Sequence, residues 1–136
     1  MDTIEVVAAV IKDGDRYLAT QRGYGNFKGM WEFPGGKIET NEEKEDALIR
    51  EIKEELNTDI NVDKYLCTVE YDYPDFHLIM HAYICSLINN KIENVKRNEE
   101  ELEHDSYKWL TAENISEVDW LPADIEIINQ IKTQTR

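Results

Sequence analysis

From Glu43 to Leu56 the chain runs without Gly or Pro, and Leu48, Ile49, Ile52 and Leu56 recur there at helical spacing. Such a segment predicts an amphipathic helix that must bury one stripe against another layer. Its flanks supply that layer. Thr3 to Ile11 is β-branched and apolar and is followed, past an Asp13-Gly14 turn, by Tyr17-Leu18-Ala19, which predicts a hairpin. Trp31-Glu32-Phe33 reads as a short strand stopped by Pro34-Gly35-Gly36, and the glycine-rich stretch from Gly23 to Met30 before it reads as a loop. Val62 to Tyr73 and Phe76 to Leu87 form a second antiparallel pair parted by Pro74-Asp75, and Tyr107 to Leu110 a last short strand. Asn89 to Asp105 is polar and acidic, hence a loop. Pro122 opens a closing amphipathic helix carrying Ile125, Ile127, Ile128 and Ile131. Strands, helix, strands, helix in this order predict an α+β fold, an α/β/α sandwich with a mixed sheet between helices.

A chain of 136 residues suits one domain, residues 1–136, and its 41% hydrophobic content can fill a core. Twenty-nine acidic against 15 basic residues leave a net charge of −14, so a nucleic-acid polymer would be repelled. Small anions are not excluded, because carboxylates that capture divalent cations present positive charge locally. No apolar run approaches the roughly 18 residues of a membrane span and no signal peptide is evident, so a cytoplasmic protein without a membrane partner is expected, monomer or homodimer. Cys67 and Cys85 lie in apolar strand-like runs without CxxC spacing and read as buried reduced thiols. His77 and His81 read as ordinary strand histidines, and His104 as structural.

On the helix, Ala47, Glu51, Glu54 and Glu55 gather on a side away from the apolar stripe, so three carboxylates share one edge. Like charges at these spacings repel by a few tenths of a kcal/mol per pair. Two explanations fit: a solvated acidic face, with Arg50 and Glu54 as an ordinary i, i+4 pair, or a site for a hard divalent cation such as Mg²⁺ or Mn²⁺.

The segment from Gly36 to Leu56 separates them. Gly36, Glu42, Arg50, Glu51, Ile52, Glu54 and Glu55 fall in register with the Nudix box, G-x5-E-x7-R-E-U-x-E-E-x-G-U, where U is bulky aliphatic. The chain resembles that family, and its MutT-type nucleoside triphosphate pyrophosphohydrolases in particular, through Trp31-Glu32-Phe33-Pro34-Gly35-Gly36-Lys37-Ile38-Glu39, Glu70-Tyr71-Asp72-Tyr73-Pro74-Asp75, Trp109 and Leu121-Pro122-Ala123-Asp124. Asn57 stands at the family's glycine and Thr58 at its last aliphatic. Asn is the non-glycine residue that best accepts the left-handed conformation wanted after a helix, so an intact site is expected.

The resemblance implies the Nudix fold, Mg²⁺ dependence with Mn²⁺ as substitute, and hydrolysis of a nucleoside triphosphate to monophosphate and pyrophosphate. It implies metal ligands at Glu51, Glu54 and Glu55, helped by a backbone carbonyl of Gly35 or Gly36, and an Arg50 that holds a catalytic carboxylate in place. For the base that activates water it offers Glu51 or a downstream loop residue, Glu103, also a candidate ligand, with Glu99, Glu100 and Glu101 as neighbours. Arg22 matches a position that reaches the phosphates, though a surface charge would look the same. Phe33, Tyr73, Asp75 and Asp124 fall where the family builds its nucleotide pocket, and Asp124 could equally cap the last helix.

The implied role is clearance of oxidised guanine nucleotides, as in 8-oxo-dGTP diphosphatases. Those specialists carry Asn where Asp124 stands, and an ionised Asp can only accept hydrogen bonds, so a CTP or dCTP pyrophosphohydrolase is the alternative. A nucleoside diphosphate sugar hydrolase is more distant, as is a non-catalytic nucleotide-binding module, which should have lost box carboxylates.

Overall fold

A computed structural model describes residues 2–23, 25–89 and 104–134. The first strand, β1 (Asp2–Asp13), organises the layers. Because successive side chains of a strand point to opposite faces, Val7, Ala9 and Ile11 enter one apolar core while Ala8 and Val10 enter the other. Both faces are covered, hence an unbroken apolar run rather than an alternating one. The element sequence continues β2 (Arg16–Arg22), β3 (Trp31–Glu32), β4 (Gly35–Lys37), α1 (Lys44–Leu56), β5 (Ile60–Asp72), β6 (Phe76–Leu87), β7 (His104–Thr111) and α2 (Pro122–Gln134).

The sheet is mixed, in the order β3-β2-β1-β6-β5, with β4 also on β1 and β7 also on β2. β1 runs parallel to β6 from Asp2 opposite Phe76 to Ile11 opposite Cys85, and antiparallel to β4 over Val6 to Ala8. Gly14, at φ 63°, turns the chain back so that β2 pairs antiparallel with the end of β1. Two bulges in β5, at Val62/Lys64 and Tyr65/Cys67, carry its side chains from one core to the other: Ile60 and Val62 pack under α1, Leu66 and Val69 on the α2 side.

α1 and α2 thus lie on opposite faces, the sandwich expected. Four local readings are corrected. Gly35 and Gly36 do not only stop a strand but form β4, since the edge of β1 offers them a partner. β7 begins at His104, inside the segment expected as loop, of which 90–103 lie outside the described residues. α1 is rolled relative to the expected stripe: Ala47 and Glu55 are buried, while Ile49 is 39% exposed. Cys67 is half-buried rather than buried, unlike Cys85, and both are free.

At its end α1 stops as the composition predicts. Asn57 adopts the left-handed conformation (φ 49°, ψ 42°) and its N–H donates to the Lys53 carbonyl at 3.1 Å. Ahead of α2, the Trp31 N–H donates to the Asp119 carbonyl (2.8 Å) and the Leu121 N–H to the Trp31 carbonyl (2.9 Å), which fastens the start of the last helix to β3.

Candidate active site

The turn between β4 and α1 is held by one arginine. Arg50, on α1, donates from Nε and Nη2 to the two oxygens of Glu42 (2.8 and 2.9 Å), from Nη2 to the Lys37 carbonyl (3.1 Å), and from Nη1 to Glu51 (2.8 Å) and Glu54 (3.2 Å). Glu42 in turn accepts the Glu39 N–H at 3.0 Å. The Arg50 bonds, then the Glu39 N–H, hold the Glu42 carboxyl down to about 2. Arg50 itself is held firmly protonated, chiefly by Glu42. The expected Arg50–Glu54 pair is therefore one strand of a larger network that aims Glu51 and Glu54.

Beside it, Gly36 leaves room that no other residue would. A Cβ built there would fall on the Glu51 carboxylate, and one on Gly35 would strike the Val7 carbonyl of β1. Glu51 is tucked into that space, its carboxyl pushed up by burial against the pull of Arg50, and it interacts with Glu55. Glu55 is 7% exposed, whereas the Glu54 side chain is 48% exposed.

These groups line a cavity of about 470 Å³, with Gly35, Gly36, Glu51, Glu54 and Glu55 on its wall. The same wall also carries Arg22, Glu32, Phe27, Phe33, Tyr73 and Asp124, among aliphatic side chains of β1 and β6. Phe33 stacks on Trp120 (centroids 4.6 Å apart) and Phe27 meets Tyr73 edge-on at 5.4 Å. The Tyr73 hydroxyl accepts the Ala123 N–H at 3.2 Å, tying the turn after β5 to α2.

Asp124 is 4% exposed and accepts the Phe33 N–H at 2.8 Å. α2 starts at Pro122, so Asp124 stands in the first turn and does not cap it, which corrects the capping alternative. Burial, reinforced by the nearby Glu32 charge, drives its carboxyl well above the usual range. Burial thus works against the ionised form expected for Asp124 and toward the neutral acid, which like Asn both donates and accepts.

Of the remaining expected site residues, Arg22 pairs with Glu32 on the cavity wall. Asp75 is exposed in the β5–β6 turn and is not among the lining residues, so the structure does not bring it to the site. Glu103 and its neighbours Glu99, Glu100 and Glu101 lie outside the described residues. Glu32 and Phe27 were missed. Glu32 could have been found from strand pairing, since it faces β2 two residues from Arg22, whereas no periodicity marks Phe27 in its glycine-rich loop.

A sheet-backed cavity with a carboxylate-bearing helix against a glycine strand defines a hydrolase of the Nudix class. A family model described as NUDIX domain matches residues 2–131, and the chain belongs to that family of hydrolases. Over 129 residues it is 31% identical to the CTP pyrophosphohydrolase of Escherichia coli (strain K12), covering 94% of this chain and 90% of that one. It is 35% identical over 95 residues to the 8-oxo-dGTP diphosphatase of Proteus vulgaris, 68% and 85% of the two chains. A solution structure of the DNA mismatch repair protein MutT from methicillin-resistant Staphylococcus aureus 252 superposes with a TM-score of 0.69 at 36% identity, covering 98% and 99%. No helix among the described residues is long and apolar enough to cross a membrane.

The family generally works with divalent cations, and the residues present fit one. Oxygen donors of Glu51, Glu54 and Glu55 share a wall with glycine backbone, and two of these carboxylates interact with each other, an arrangement that calls for a cation or a proton. Among the described residues no three acidic, His or Cys side chains already converge on a point; Arg50 draws Glu51 and Glu54 toward itself.

Proposed function

We propose that this Nudix hydrolase cleaves a nucleoside triphosphate to the monophosphate and pyrophosphate with Mg²⁺, Mn²⁺ serving in its place, and that it acts in the cytoplasm as a nucleotide-pool sanitiser of the 8-oxo-dGTP diphosphatase kind. The observation that carries this reading is that one cavity is lined both by the carboxylates of α1 and by Phe27, Phe33, Tyr73 and the buried acid Asp124. A triphosphate is shielded from nucleophiles by its own charge, and a bound divalent cation offsets that charge. Glu51, Glu54 and Glu55, with a carbonyl of Gly35 or Gly36, are the residues to hold it. Arg50 keeps Glu51 and Glu54 aimed. Glu103 or Glu51 takes the proton of the attacking water, Arg22 meets the phosphates, and Phe33, Tyr73 and Asp124 enclose the base. One domain over residues 1–136 contains all of these groups.

Base choice has two readings, each with support. A neutral Asp124 offers a donor and an acceptor, as the Asn of guanine-oxidation specialists does, which favours 8-oxo-dGTP. Similarity to a CTP pyrophosphohydrolase along nearly the whole chain favours CTP or dCTP. The ratio of kcat/KM for 8-oxo-dGTP against CTP and dCTP, at saturating Mg²⁺, tests them. A ratio above one by an order of magnitude supports the first, and the reverse ratio supports the second.

A further inference from the structure

Arg22 and Glu32 stand on neighbouring strands with Thr20 opposite Glu32 and Gln21 opposite Trp31, so their side chains meet across β2 and β3. The contact is a fork, Nε to Oε2 at 3.1 Å and Nη2 to Oε1 at 2.7 Å. Two parallel bonds fix the plane of a guanidinium as well as its place. Both backbones are anchored too. The Arg22 N–H donates to the Met30 carbonyl and its carbonyl accepts the Gly29 N–H, both at 2.8 Å, while the Thr20 hydroxyl donates to the Glu32 carbonyl at 3.2 Å. The two side chains are 28% and 15% exposed, deeper than an ordinary surface pair, and both line the cavity. Asp124, on the same wall, feels both charges, Glu32 opposing and Arg22 favouring its ionisation.

We propose that Glu32 is a positioning residue for hydrolysis: its carboxylate holds the Arg22 guanidinium in one orientation on the cavity wall, so that the arm meeting the phosphates is ordered before the nucleotide arrives. This rests on reading the cavity as a triphosphate site. Arg22 touches substrate, and Glu32 acts only through Arg22. An arginine left to itself explores many rotamers, and ordering it at the moment of binding weakens affinity. The loss should fall on KM, because the phosphate contact is made in ground state and transition state alike.

The test is a double-mutant cycle of Glu32→Gln and Arg22→Ala, with KM and kcat measured on 8-oxo-dGTP and on CTP and with the products identified. Glu32→Gln is expected to raise KM about tenfold and to leave kcat within a few-fold. In the Arg22→Ala background it should change nothing further. Glu32→Asp keeps the charge but shortens the reach, and should raise KM less; it carries the test if Glu32→Gln does not fold. As a signature independent of turnover, the Arg22 Nε–H resonance should shift in Glu32→Gln. An effect of equal size with and without Arg22, a loss confined to kcat, or an unchanged KM overturns the proposal while the functional reading stands. A parent that cleaves no triphosphate overturns both.

Discussion

Arg50 closes on both oxygens of Glu42, at 2.8 and 2.9 Å, across the turn that joins the glycine strand to α1. This pair fixes the entry of the helix, and through the same guanidinium the aim of Glu51 and Glu54. Its pH dependence follows from the sign of the shift. The Glu42 carboxyl is held at about 2, below its unfolded value, so its contribution to stability is present above the unfolded value and is lost as pH falls toward 2. Glu42→Gln should therefore lower Tm at pH 6 and make little difference at pH 2. A Tm loss of the same size at both pH values would contradict the pairing.

Glu54→Gln should reduce turnover by two orders of magnitude or more, because it removes an oxygen donor from a group assigned to the cation. Relief of repulsion among the three glutamates favours a higher Tm without metal, but Glu54 also accepts from Arg50 at 3.2 Å, and loss of that bond offsets the relief. Thermal melts in chelator should thus differ from the parent by no more than a degree or two, the scale of an exposed pair worth about 0.5 kcal/mol. A large fall in Tm would mean that Glu54 serves the fold.

At Gly36 a single methyl group tests the packing of Glu51. Its Cβ would land on the Glu51 carboxylate, so Gly36→Ala should displace that side chain and weaken both Mg²⁺ affinity and turnover by more than tenfold, with folding retained. Isothermal titration with Mg²⁺ reads the first, product release the second. Unchanged Mg²⁺ affinity would show that Glu51 is not where the cation binds.

Asp124 offers a second pH test, opposite in sign. Its carboxyl is raised above the unfolded value, so its contribution is full below that value and fades as pH climbs toward the folded one. Asp124→Asn keeps an acceptor for the Phe33 N–H and removes the titrating group. Tm should rise by more at pH 7 than at pH 4. Because burial favours the neutral acid, which Asn resembles, the ratio of kcat/KM between 8-oxo-dGTP and CTP should change less at acid pH than at alkaline pH. A gain in Tm independent of pH, or a ratio that changes equally at acid and alkaline pH, would contradict the raised carboxyl.

What could be read beforehand was local. The box spacing, the helix and the left-handed Asn57 all follow from neighbours within a turn or two, where periodicity and capping rules apply. β4 was not readable, because glycines carry no strand preference; it exists because β1 offers an edge and because only a residue without Cβ lets Glu51 lie there. The roll of α1, which buries Glu55 and exposes Ile49, is set by how the helix meets the sheet, which spacing along the helix does not state. Asp124 meets Phe33 across 91 residues of sequence, so neither its burial nor its charge state could be derived from its neighbours. Asp75 shows the reverse limit: it is close to Tyr73 in sequence, but the turn carries it into solvent and away from the lining of the cavity.

The central claim is that the carboxylates lining the cavity direct cleavage of a nucleoside triphosphate between its α- and β-phosphates. Phosphorus NMR of the products, with parent and Glu54→Gln incubated with 8-oxo-dGTP or CTP and Mg²⁺, measures it directly. The expected result is monophosphate and pyrophosphate from the parent and almost none from the variant. Orthophosphate and diphosphate from the parent, or equal pyrophosphate from both proteins, would contradict it.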